Sequence, residues 1–245
     1  MATSPAAEAL PIAPGENRVA FQGMDWVAYQ QMKALLNERT RARLTYDRGT
    51  LEITTPSELH EFYARLIERF IVILVVELGL KIKTLGPTTL DREDLERGAE
   101  PDNSYYIQNQ PRVAGRPIDL ETDPPPDLVV EVDIKHTDTD ENALYAAMDV
   151  PEFWRFNGKV WRIYQLRDGE YIECDLSPIF PSIAKDELYQ FLVTCQQDEV
   201  GSIPLLQIYQ NTGRRHKDFG LLSSCFHESG MLPMRLPQSS ICGLG

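Results

Sequence analysis

The segment from Asp127 to Lys135, DLVVEVDIK, sets the carboxylates of Glu131 and Asp133 and the ammonium of Lys135 at alternate positions of an apolar, β-branched run. In an extended strand alternate side chains share a face. Asp127, Val129, Glu131, Asp133 and Lys135 then project one way, and Leu128, Val130, Val132 and Ile134 the other. Charges on a buried strand are costly unless they pair or bind an ion. Metal-dependent phosphodiester cleavage uses such a set: oxygen ligands for Mg²⁺ or Mn²⁺, and a cation that orients water or offsets charge on the phosphate. Glu131, Asp133 and Lys135 could supply both. A further carboxylate must come from a neighbouring strand, and Glu100-Pro101-Asp102, just ahead of a strand candidate at 104–107, offers one. An acid-rich strand end can equally form ion pairs or face water, and both readings stand at this point.

The elements that must position these groups are visible in the periodicity. The apolar spacing in Trp26 to Glu38 predicts a helix with Asp25 as N-cap. Asp47-Arg48-Gly49 between Ala42–Tyr46 and Thr50–Thr54 predicts a hairpin. Ser57 caps the strongest helical pattern, which carries Phe62, Leu66, Ile67, Phe70, Ile71 and Leu74 and ends at Gly79. Short strands are expected at 81–85, 88–90, 104–107 and 127–134, the last as a central strand buried on both faces. A short helix at 140–148, strands at 152–156, 160–166 and 171–174, and a helix near 183–196 follow. The order points to an α+β fold with helices against a sheet.

Length and composition are those of one globular domain: 245 residues, 42% hydrophobic and 25% charged. Residues 1–20, rich in Ala and Pro, read as a flexible leader, and 201–245, with scattered Pro and Gly, as an irregular tail. The longest apolar run, Phe70 to Val76, is far short of the roughly 20 residues of a spanning helix. With no signal-like N-terminus, a cytoplasmic protein without membrane contact is expected. Cys174, Cys195, Cys225 and Cys242 form no CxxC pair, which argues against a zinc site. The net charge of −13 means that any nucleic-acid contact needs a local basic patch or divalent cations.

The segment PPPDLVVEVDIKHTDTDENALYAAMDVPEFWRF, together with TTPSELHEFYARLIERF, TTLDREDLERGAEPDNSYYIQN and KVWRIYQLRDGEYIEC, resembles the Uma-two family of restriction-endonuclease-like proteins, over about residues 20–200. The resemblance implies a PD-(D/E)XK nuclease-like domain at 21–200. Its restriction-endonuclease-like core would be a central mixed β-sheet flanked by helices. It implies a Mg²⁺ (or Mn²⁺) site in which Asp102 is the "PD" acid and Glu131 the second acid, with Asp133 as an additional ligand and DNA as substrate. His60 and Glu61 match a recurrent polar pair that would line the same cleft. A homodimer is left open.

One departure stands out. Family members commonly carry a lysine four residues before the tyrosine of the helix after this strand, and counted back from Tyr145 that position is Glu141. Lys135 restores a literal DxK and could serve instead, or be a solvated strand-end residue. Tyr145, Pro151, Glu152, Phe153 and Trp154 fit the family pattern and are expected to pack the core. The function implied is a metal-dependent endonuclease. The alternative is a catalytically degenerate nuclease-fold protein that binds or oligomerises, and a nucleic-acid binder without chemistry lacks the basic, aromatic-interleaved stripe it would need.

Overall fold

The computed structural model describes residues 17–36, 42–134, 139–181 and 183–198. Strand β1 (Asn17–Gln22) leads into helix α1 (Trp26–Leu36), whose start is capped by Asp25 Oδ1 accepting from Ala28 N at 2.7 Å. Strands β2 (Arg43–Asp47) and β3 (Thr50–Thr55) pair antiparallel with Asp47 opposite Thr50. Arg48 (φ 43°) and Gly49 (φ 98°) form the tight turn between them, as the Gly-containing spacing predicts. Helix α2 (Glu58–Glu77) starts at Ser57, whose hydroxyl accepts from His60 N at 3.2 Å, and stops before Gly79 at φ 62°.

Next come β4 (Lys83–Thr84), β5 (Leu90–Arg92), a 3₁₀ turn at Glu93–Leu95, β6 (Arg97–Ala99), β7 (Asn103–Tyr106) and a one-turn helix α3 (Gln110–Val113). The chain continues through β8 (Leu128–Val132), α4 (Glu141–Ala147), β9 (Glu152–Phe156), β10 (Trp161–Arg167), β11 (Glu170–Cys174) and α5 (Lys185–Asp198).

The class is α+β. The strands form two sheets: five in the order β1-β3-β2-β6-β5, and six in the order β11-β10-β9-β8-β7-β4. In the six-stranded sheet only β8 and β9 run parallel, so it is mixed, and β8 is central as expected. The five-stranded sheet is antiparallel throughout. Its strand β1 begins inside the stretch read as a leader, and β6 was not anticipated. Both segments are short and weakly periodic, and pairing with their neighbours decides them.

The alternation in β8 is realised. Leu128, Val130 and Val132 pack against Tyr63, Ile67, Phe70 and Ile71 of α2 in the main core, which α5 joins through Leu188, Phe191 and Leu192. Val129 faces the opposite side, against Leu144, Tyr145 and Phe153. Each such side chain, removed from water, contributes about 1.5–3 kcal/mol. Phe153, Trp154 and Phe156 are buried in these cores, as the aromatic run predicts. Among the described residues no helix is long and apolar enough to cross a membrane.

Candidate active site between the two sheets

The chain leaves the five-stranded sheet at the end of β6 and enters the six-stranded sheet at β7, and Glu100-Pro101-Asp102 is the crossing. The crossing is held at both ends. Glu100 N donates to Leu44 O at 3.1 Å, and Leu44 N donates to Glu100 Oε2 at 3.2 Å, which ties it to β2. On the other side Asp102 meets β8: Val132 N donates to Asp102 Oδ2 at 2.6 Å, and Asp102 N donates to Glu131 Oε2 at 3.3 Å. The two acids expected to pair from separate segments therefore do meet, on adjacent strands.

Around them stands a polar cluster drawn from both sheets and two helices. Asp102 Oδ1 pairs with the Arg43 guanidinium and lies 2.7 Å from His60 Nε2. Arg43 also lies 2.9 Å from His60 Nε2 and donates to Glu61 Oε1 at 2.9 Å. His60 and Glu61 thus border the acid pair: His60 is buried in it, and Glu61, with a 40% exposed side chain, stands at its solvent edge. They hold that place because Ser57 fixes the first turn of α2 at the sheet crossing.

Glu131 accepts from the Tyr145 hydroxyl through its other oxygen. Burial pushes the Glu131 carboxyl up to about 7, against the opposing pull of the Tyr145 hydrogen bond and the Arg43 charge. Tyr145 therefore does more than pack: its ring lies in the core and its hydroxyl orients an acid. A hydroxyl on a helix face aimed at the sheet was the available signal.

Asp133, just past the end of β8, is engaged on both oxygens. Arg18 of β1 donates to Oδ1 at 2.9 Å, and Arg155 of β9 pairs with Oδ2. Glu131 and Arg155 are register partners on the parallel pair, which brings Arg155 to the acid face. Glu141, in the first turn of α4, is buried with Arg155 Nε 3.6 Å from Oε2, an oxygen that makes no hydrogen bond. Burial first, and the Glu131 charge second, push its carboxyl well above the ordinary range. Lys135 and His136 lie outside the described residues.

Sequence reasoning did not single out Arg18, Arg43 or Arg155. Arg18 and Arg43 become neighbours of the acids only through the approach of the two sheets, and Arg155 only through the parallel pairing of β9 with β8.

The profile of the Uma2 family, described as "Putative restriction endonuclease", matches residues 26–190. The chain belongs to the Uma2 family. Its match runs from the start of α1 into α5 and so contains the whole of the cluster except Arg18. Comparison with curated proteins finds no match. The Uma2 assignment agrees with the helix-flanked mixed sheet and suggests a nuclease, in a superfamily whose members generally use divalent metals.

The donor set can be tested against such an ion. Among the described residues no three His, Cys, Asp or Glu side chains are grouped to hold a metal by themselves. Mg²⁺ does not need that: it is commonly held by one or two carboxylates and completes its octahedron with water and substrate phosphate. Asp102 and Glu131, joined across β7 and β8, fit this pattern. Glu131 Oε2 receives only the long 3.3 Å bond from Asp102 N and keeps lone-pair capacity.

Proposed function

We propose that this Uma2 protein is a Mg²⁺-dependent endonuclease that hydrolyses DNA phosphodiester bonds, with residues 21–200 as the nuclease-like unit. The observation that supports the reading is the mutual tie between Asp102 and Glu131, in which Val132 N donates to Asp102 Oδ2 and Asp102 N to Glu131 Oε2, so that the two acids stand side by side where β7 and β8 pair. In this reading Asp102 and Glu131 hold the ion, and Asp133, buried between Arg18 and Arg155, is an auxiliary carboxylate. Lys135 supplies a positive charge for the attacking water or the phosphate. A bound divalent ion supplies Lewis-acid polarisation of the phosphate and a more acidic water.

The residues of the chain do the remaining work. The β7–β8 backbone donors fix the carboxylates, so little reorganisation is needed at the moment of reaction. Tyr145 keeps Glu131 oriented and favours its ionised form. His60 and Glu61 line the cleft between the acids and solvent. One water is consumed and one P–O ester bond is broken per event. The setting is the cytoplasm, and a homodimer is compatible with it.

A second reading, a nuclease fold kept as a binding or oligomerisation module, is favoured by one observation: Glu141, buried beside Arg155, stands where a helix lysine is common in the family. Nicking of supercoiled plasmid in Mn²⁺ separates the two. Nicking by wild-type protein that is lost in Asp102→Ala and Glu131→Ala is the expected result. Its absence across plasmids and ions, with no Mn²⁺ heat in calorimetry, would leave the binding module.

A further inference from the structure

Arg43 connects the innermost acid of the site to its mouth. Its guanidinium pairs with Asp102 Oδ1 at the buried end and donates to the exposed Glu61 at the other, across 2.9 Å. Its side chain is only 12% exposed, and it comes from β2 of the other sheet, not from the strand or helix that bears the acids. Asp102 Oδ1 is thereby shared between Arg43 and His60. A divalent ion on that oxygen would stand in contact with a guanidinium, and two cations at one carboxylate oxygen repel strongly where water is excluded. Metal and Arg43 therefore compete for Asp102.

The displaced guanidinium has a direction in which to go. Its contact with Glu61 already points it toward solvent, and a planar fork suits two phosphate oxygens better than a point charge does. Glu141, a buried acid, brings no cation to the site from α4.

Resting on the metal-dependent reading above, we propose that Arg43 is a DNA-phosphate ligand of this site and is released for that role when a divalent ion takes its place on Asp102. Metal binding and DNA binding are then coupled through one side chain. In the metal-free protein the Arg43–Asp102 pair closes the site against both.

Two equilibrium measurements on the full chain test this. Mn²⁺ is titrated calorimetrically into wild-type protein, Asp102→Ala and Arg43→Gln, and a fluorescent random-sequence DNA duplex is titrated in Ca²⁺ by anisotropy. Removal of the competitor is expected to tighten Mn²⁺ binding in Arg43→Gln by about 5-fold, a typical size for coupled sites. The same change is expected to weaken duplex binding by about 10-fold, as for loss of a charged hydrogen bond.

A merely structural Arg43 would weaken both. Mn²⁺ binding by wild-type that is equal or tighter than in Arg43→Gln overturns the exchange but leaves the metal site. No Mn²⁺ binding by wild-type protein overturns the metal-dependent reading and the exchange with it. Should circular dichroism show Arg43→Gln unfolded, Arg43→Lys decides. The ammonium lacks the planar fork with which the guanidinium spans Asp102 Oδ1 and Glu61 Oε1, so a weaker hold on Asp102 and tighter Mn²⁺ binding than wild-type are expected, and equal or weaker binding overturns the exchange.

Discussion

Asp102 and Glu131 are bound to each other's strands: Val132 N donates to Asp102 Oδ2 at 2.6 Å, and Asp102 N donates to Glu131 Oε2 at 3.3 Å. Each acid is held by the backbone beside the other, so neither can move without disturbing both. The pair is rigid because β7 and β8 are antiparallel neighbours in register, with Asn103 opposite Val130. Four consequences can be measured.

The first concerns pH. Burial lifts Glu131 to about 7 from an ordinary 4.5, and Glu141 well above that same value. Raised carboxyls keep protons that the unfolded chain releases, so their contribution to stability is complete below about pH 4.5 and is lost as pH rises through about 7. The melting temperature of metal-free protein is expected to fall between about pH 5 and about pH 8, and added Mn²⁺ to lessen the fall. A melting temperature that climbs over this interval contradicts the assignment.

Glu141→Gln isolates the share of the helix acid. The amide keeps the shape but cannot ionise beside Glu131, so the variant is expected to be more stable than wild-type at about pH 8, by on the order of 1 kcal/mol, and equal to it at about pH 5. Urea unfolding at the two pH values reads this directly. Equal stabilities at both would show that Glu141 does not titrate with folding.

Tyr145→Phe removes one hydroxyl and leaves the ring in the core. The hydrogen bond it deletes favours ionised Glu131, so the Glu131 carboxyl is expected to rise above 7. If nicking requires ionised Glu131, the acid limb of the pH–rate profile moves to higher pH. Stability falls by about 1 kcal/mol. An unmoved limb with reduced rate would assign Tyr145 to packing alone.

Asp133→Asn tests whether the third acid acts through the ion or through its arginines. Both oxygens are occupied by Arg18 and Arg155. The variant removes the charge that both guanidiniums face and turns an amide N–H toward one of them, while Arg18 keeps Glu52 and Arg155 keeps Glu141, and it is expected to lose about 2 kcal/mol of stability. Mn²⁺ affinity should drop by less than about 3-fold, as suits an auxiliary carboxylate. A loss as large as that of Asp102→Ala would make Asp133 a full ligand.

Much of this architecture could be read from the chain. The alternation in DLVVEVD placed β8 in the centre of a sheet because an apolar strand with side chains on both faces has to be covered twice, here by α2 and by α4. Ser57, Gly79 and the Arg48-Gly49 turn were legible because capping and positive φ depend on local residue type. Glu131 was legible as an acid costly to bury without a partner, and Asp102 through the resemblance of Glu100-Pro101-Asp102 to the family's PD motif.

Tertiary structure alone decided which cations meet them. Arg18, Arg43 and Arg155 come from three strands in two sheets, separated from the acids by up to 115 residues, and a strand pattern says nothing of which strand pairs beside it or faces it across a sheet crossing. The same holds for Tyr145, whose hydroxyl acquires a role only because α4 lies over β8. Periodicity determines which side of an element a residue takes. The partner on that side is set by how the elements pack.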